Sequence, residues 1–288
     1  MNKTIAPALT AGQISATNKD VNVVINKETY AKKNQEPKTD TLGTFWGVGV
    51  GPGPTGYLPV AALEVLQKAD LVYAPRARSA ETSVALQCLA GIDVGIDFSS
   101  GEVSPRLREI EFNMDPDRSV LSTHYAQLAD AIALELQAGR NVAYLTIGDT
   151  MTYSTYGYIL AALLARLPQL PHRTFPGITS YAAAAAALGW PLGEGKERTL
   201  ILPCPEDAVT LRHEIESHDV VVLMKIGARL PWVLDLLRDM GIAAHCAFAR
   251  RIGLPGELLA TEVTTLSATE AMGYLATLLV RKTPREKR

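Results

Sequence analysis

The sequence predicts an α/β protein of two halves, with a mostly parallel sheet in each, antiparallel strands at the C-terminus and a ligand cleft between the halves. Three observations carry this. Short runs rich in Val, Ile, Leu and aromatics alternate with longer stretches whose apolar residues recur at i, i+3 and i+4, and strands separated by helices pair in parallel. The alternation breaks at LARLPQLPHR, where Pro168 and Pro171 cannot continue a helix. The final segment shows partial period-two alternation and lacks helix caps.

Taken in order, residues 1–41 are polar, with one short apolar run (VNVVI) and no sustained period, and read as a mobile extension. Asp20, Glu28, Glu36 and Asp40 argue against a transit peptide, and no long apolar centre marks a secretory signal. Strands are expected at 44–50 (TFWGVGV), 70–74 (DLVYA), 141–147 (NVAYLTI), 172–176 (HRTFP), 198–203 (RTLILP) and 219–226 (DVVVLMKI). Helices are expected at 60–69, 118–139, 154–167, 178–190, 206–217 and 228–241, with Gly139, Gly189 and Gly241 as C-terminal stops. The segments ELLATEV (257–263) and GYLATLLVRK (273–282) read as antiparallel strands. The halves are then residues 42–168 and 169–284.

Bulk properties exclude several classes. The 288 residues are 47% apolar and 20% charged, with a formal net charge of −2, so no global field recruits nucleic acid. Cys88, Cys204 and Cys246 are too widely spaced for a zinc site or a disulfide framework, which points to a reducing cytoplasm. Apolar runs fall short of the ~20 residues that cross a bilayer, so no membrane partner is expected. No metal set is expected either: His213 and His218 are out of step on a helix, and the neighbours His245 and Cys246 point to opposite faces if extended.

Residues Gly51–Gly56 (GPGPTG) satisfy G-x-G-x-x-G, but Pro52 and Pro54 each remove an N–H that a phosphate would need. The acid expected about 20 residues on is also absent, because the following strand ends in Ala74-Pro75. The loop is poor for phosphate. It is either a tight strand-to-helix turn or a cradle for something flat and less anionic, with Pro59 in the first turn of the next helix. Other strand ends carry small or polar groups: Gly148 and Asp149, Pro176-Gly177 followed by Thr179 and Ser180, and Lys225. Three such ends can converge on one pocket. The hydroxyls of Thr179 and Ser180 either face it or cap their helix.

Together, GVGPG (Gly49–Gly53), GDT (Gly148–Thr150) with Tyr153, PGITS (Pro176–Ser180) and LMK (Leu223–Lys225) resemble, in order and spacing, the tetrapyrrole methylase family. ARRIGLPGE (Ala249–Glu257) resembles a further family loop beside the cofactor. Pro54-Thr55 and Pro59 stand where the family usually has Asp and Thr, and Thr150 replaces the Pro of its G-D-P. The resemblance implies the two-domain fold of that family, S-adenosylmethionine as cofactor and a homodimer. It also implies C-methylation of a reduced tetrapyrrole, most like C20 methylation of precorrin-2 or cobalt-factor II in cobalamin synthesis. Methylation at another position, or a binding protein without turnover, are the rival readings. The implied cofactor residues are Gly51, Pro52, Gly53, Ile147, Gly148, Asp149, Thr152, Tyr153, Thr179, Ser180, Met224 and Ile252. Lys225, Arg250 and Arg251 would meet the substrate's carboxylates, one of the two arginines facing the cleft if their backbone is extended. The small side chains Ala182–Ala187 either let their helix pack closely or reflect helix propensity alone. No residue is singled out as a catalytic base.

Overall fold

A computed structural model describes residues 41–53, 56–78, 80–96, 104–112 and 118–285. The expected extension at 1–41 lies, but for Thr41, outside the described residues, as does the Pro54-Thr55 departure.

The first sheet holds β1 (Phe45–Gly49), β2 (Leu71–Ala77), β3 (Leu107–Phe112), β4 (Val142–Thr146) and β5 (His172–Phe175), in the order β3-β2-β4-β1-β5. Every pairing in it is parallel. Helices α1 (Val60–Lys68), α2 (Val84–Gln87), α3 (Arg118–Gln137) and α4 (Tyr156–Arg166) supply the crossovers. One apolar layer joins Val48, Val50, Ala62, Leu66, Val72 and Leu145, and a second joins Phe45, Tyr73, Ile132, Tyr144, Tyr156 and Leu163. Both faces of the sheet are therefore covered, as a parallel sheet requires. Because β5 pairs with β1, the change of sheet follows Phe175, beyond the boundary expected at residue 168.

The second sheet holds β6 (Thr199–Pro203), β7 (Val220–Met224), β8 (Cys246–Arg250), β9 (Leu258–Ala260) and β10 (Ala276–Arg281), in the order β6-β7-β10-β8-β9. Only β6 and β7 pair in parallel; the other three pairings are antiparallel. The antiparallel strands expected at the C-terminus are β9 and β10, and they make this second sheet mixed where the first is wholly parallel. β10 follows β9 after a connection over residues 261–275 that holds a single 3-10 turn (Glu270–Gly273) and no α-helix, and it slots between β7 and β8. Helix α5 (Ser180–Leu188) packs on one face through Ala183, Ala184, Val222, Ala247, Ala249 and Leu279. Helices α6 (Ala208–Ser217) and α7 (Leu230–Asp239) belong to the opposite face, with Leu211, Leu234, Val221, Leu223 and Phe248. Alternate residues of β7 and β8 go to opposite faces, as the pleat dictates. No helix among the described residues is long and apolar enough to cross a membrane.

Candidate functional site

The site is built by contact between loops. Val50 donates its N–H to the Thr146 carbonyl, and Gly51 and Gly148 exchange both backbone bonds (3.1 and 2.7 Å), tying the loop after β1 to the loop after β4. Gly177, which follows β5, closes on both: a Cβ there would fall 2.0 Å from the Gly148 carbonyl oxygen and 2.8 Å from the Gly49 carbonyl carbon. Gly53 closes on the second half, since its Cβ would lie 1.8 Å from the Ile252 carbonyl oxygen. Ile252 is buried in the layer that also takes Met224, Tyr57 and Tyr181. The four segments singled out from sequence therefore meet, and the loop carrying Ile252 joins them. Gly49, Gly177 and Tyr57 were not among the expected cofactor residues, although GVG and PG were visible signals of close backbone approach.

The residues differ in what they have left to offer. Asp149 is committed on both oxygens: Met151 N–H and the Thr152 hydroxyl donate to Oδ1 (both 2.9 Å), and Gly177 N–H donates to Oδ2 (3.0 Å). It clamps one loop to the other. Thr179 caps α5, accepting the Ala182 N–H at 3.3 Å, so the capping alternative describes its hydroxyl. Ser180 Oγ lies 3.0 Å from Thr277 Oγ1 of β10. Tyr153, at φ 52°, donates its hydroxyl to the Ile201 carbonyl of β6 (3.1 Å), reaching from the first half to the second. Thr150 is buried and donates to the Phe175 carbonyl (3.1 Å), a bond that a proline in its place could not make. Gly51, Pro52, Gly53 and Gly148 are buried, and Ile147 is half-buried against the first sheet's apolar layer.

The three cations are less alike than their spacing suggests. Ala276 of β10 pairs with Arg250 and lies two residues beyond the Leu278–Leu223 pair, level with Lys225, so both cations sit at the same end of the sheet. Arg250 is in register with Ala276 and Leu258, which pack on the α6–α7 face, and its buried Nε has no hydrogen-bond partner among the described residues. Arg251 is not extended: its φ is 49°, and its Nε donates to the Pro255 carbonyl at 2.6 Å. The simple alternation expected for the arginine pair therefore fails at this turn. Lys225 also has positive φ, 54°; its side chain is open to solvent yet crowded by the chain, and desolvation alone lowers its pKa.

The junction also leaves room at one point. A Cβ on Gly148 would meet only the Ile178 carbonyl oxygen, at 3.8 Å, so bare backbone faces nearly open space there. Apolar Ile147, Met224 and Ile252 stand around the same junction. Among the described residues, no three His, Cys, Asp or Glu side chains come together to hold a metal. Residues 44–268 match the family described as Tetrapyrrole (Corrin/Porphyrin) Methylases. The chain belongs to this family.

Two similar methyltransferases each match 83% of the chain. The cobalt-precorrin-2 C(20)-methyltransferase of Salmonella typhimurium is 27% identical over 240 residues, covering 83% of this chain and 97% of that protein. The precorrin-2 C(20)-methyltransferase of Sinorhizobium sp is 27% identical over 243 residues, covering 83% and 95%. Among solved structures, cobalt precorrin-4 methyltransferase, a cobalamin biosynthetic enzyme, overlays with a TM-score of 0.58 at 18% identity over 84% of this chain and 96% of that one, a likeness of fold.

Proposed function

We propose that this tetrapyrrole methylase transfers a methyl group from S-adenosylmethionine to C20 of a reduced tetrapyrrole of the precorrin-2 type, as a cytoplasmic homodimer. The observation that carries the reading is the meeting of GVGPG, GDT, PGITS and LMK at one junction. The names of two relatives that cover 83% of the chain support C20 as the position. Equal identity to a metal-free and a cobalt-named relative leaves both substrate forms within the proposal. Gly51, Pro52, Gly53, Ile147, Gly148, Thr152, Ser180, Met224 and Ile252 would hold the cofactor, with Asp149 and Thr179 fixing the loops that carry them.

When bound, S-adenosylmethionine supplies the activated methyl group. The chain's own part is placement, and holding two reactants in attack geometry can lower a barrier by ~7–11 kcal/mol. The test is incubation with precorrin-2 and methyl-labelled S-adenosylmethionine, followed by NMR of the product. A labelled methyl at C20 is expected. A label elsewhere on the ring would replace the position, and S-adenosylhomocysteine binding without turnover would make the protein a binding homologue.

Lys225 is the cation best placed for a substrate carboxylate, since Arg250 is in register with residues of the opposite, α6–α7 face. A carboxylate beside Lys225 favours its charged form and raises the lowered pKa. Below the lowered value the amine is already protonated, and above the ordinary lysine value it stays neutral. Between them, in the alkaline window, substrate binding is expected to take up a proton. Calorimetry in buffers of different ionisation enthalpy should show that uptake, and Lys225→Met should remove it. Uptake unchanged in the variant would assign the carboxylate to another cation.

A further inference from the structure

Among the described residues, Met151, Tyr153 and Ile178 are large apolar side chains exposed at 67, 44 and 37%. All three lie on the two loops that Asp149 ties together. The carboxylate takes the Met151 N–H on one oxygen and the N–H of Gly177, the residue before Ile178, on the other. The backbones bearing Met151 and Ile178 are therefore held within the span of one carboxylate. The Tyr153 hydroxyl is committed to Ile201, so ring is what it chiefly shows to solvent. Beside them lies Gly148, where the Ile178 carbonyl oxygen is, among the described residues and apart from the glycine's chain neighbours, the one atom within 4 Å of where a Cβ would stand. Keeping such side chains in water forgoes about 25 cal/mol for each Å² left unburied. Exposed apolar side chains gathered on two tied loops mark a surface that a ligand covers.

We propose that Met151, Tyr153 and Ile178 form the platform on which the tetrapyrrole macrocycle lies. The flat, apolar face of the ring rests on the three side chains, and its carboxylate rim turns to water and to Lys225. This moves Tyr153 from the cofactor to the substrate, and it rests on the functional reading above. A second copy of the chain is the rival occupant. The site chemistry favours the macrocycle, because the loops bearing the patch are the same ones whose glycines meet at the cofactor junction.

The test is the double variant Met151→Asn/Ile178→Asn, with Met151→Leu/Ile178→Val as an apolar control. Precorrin-2 affinity is expected to fall roughly ten-fold or more in the asparagine variant and to persist in the control. S-adenosylhomocysteine affinity and sedimentation mass should stay at wild-type values in both. Wild-type precorrin-2 affinity in the folded asparagine variant would overturn the platform. So would a change of mass with affinity intact, since the patch would then be a contact between copies. If the wild type binds S-adenosylhomocysteine but no precorrin-2, the functional reading itself falls and the platform with it.

Discussion

Gly177→Ala is expected to abolish S-adenosylhomocysteine binding and to destabilise the protein by about 3 kcal/mol or more. The added methyl would sit 2.0 Å from the Gly148 carbonyl oxygen, 2.8 Å from the Gly49 carbonyl carbon and 2.9 Å from the Gly49 Cα. All of these are backbone atoms, so no side chain can swing aside. Relief requires the PGITS turn to lift from the loops after β1 and β4, which would strain the Gly51–Gly148 bridge and the bond from Gly177 to Asp149. Urea unfolding and calorimetry on the same preparation check both halves of the expectation. A variant with wild-type stability and affinity would show that the three glycines are not packed as described.

Asp149→Ala comes next in size. It strands the N–H groups of Met151 and Gly177 and the Thr152 hydroxyl, each bonded to a carboxylate oxygen in the wild type. Hydrogen bonds to charged groups contribute about 1.5–3 kcal/mol each when measured singly, but the freed donors regain water, so a total of about 3 kcal/mol is expected. The expectation taken from the sequence was that this carboxylate touches the cofactor. The geometry gives it a clamping role, with Oδ2 still able to take a second donor, and Asp149→Asn separates the two roles. The amide oxygen can still accept from Met151 and Thr152, while its NH2 faces the Gly177 N–H without accepting from it. A clamp therefore predicts a partial loss of melting temperature and of S-adenosylhomocysteine affinity together. Full stability with lost affinity would return Asp149 to direct contact with the ligand.

Much of the fold was legible because apolar periodicity in strands and helices reports burial directly. The strand runs at 44–50, 141–147 and 219–226 became β1, β4 and β7, whose residues are almost all buried. β3 escaped notice for the converse reason: LREIEF carries three charges and lies at the edge of its sheet, where solvent tolerates them. Antiparallel strands at 257–263 and 273–282 were legible too, whereas the order of the second sheet was less accessible. Parallel pairing was inferred from intervening helices, but the insertion of β10 between β7 and β8 is a tertiary choice that no local pattern encodes.

At the site, the loops were visible as motifs, whereas the division of labour within them was not. Sequence places Asp149, Thr152 and Gly177 near strand ends, yet only coordinates show that the first spends its oxygens on the other two. The arginine pair failed similarly. Alternation assumes extended backbone, and Arg251 is left-handed. Lys225 and Tyr153 share that conformation, which costs roughly 1–2 kcal/mol for a residue bearing a Cβ, so their orientation is imposed by surrounding contacts that propensity cannot forecast.

The bond from Tyr153 to Ile201 also bears on how the protein behaves in a crowded solution. β6 is an outer strand of its sheet, and a bare outer strand offers its backbone to any passing chain for strand addition. By occupying the Ile201 carbonyl, Tyr153 blocks one rung of that template. A change that loosens the loop carrying Tyr153 would uncover that rung, an effect to be read in solubility rather than in turnover.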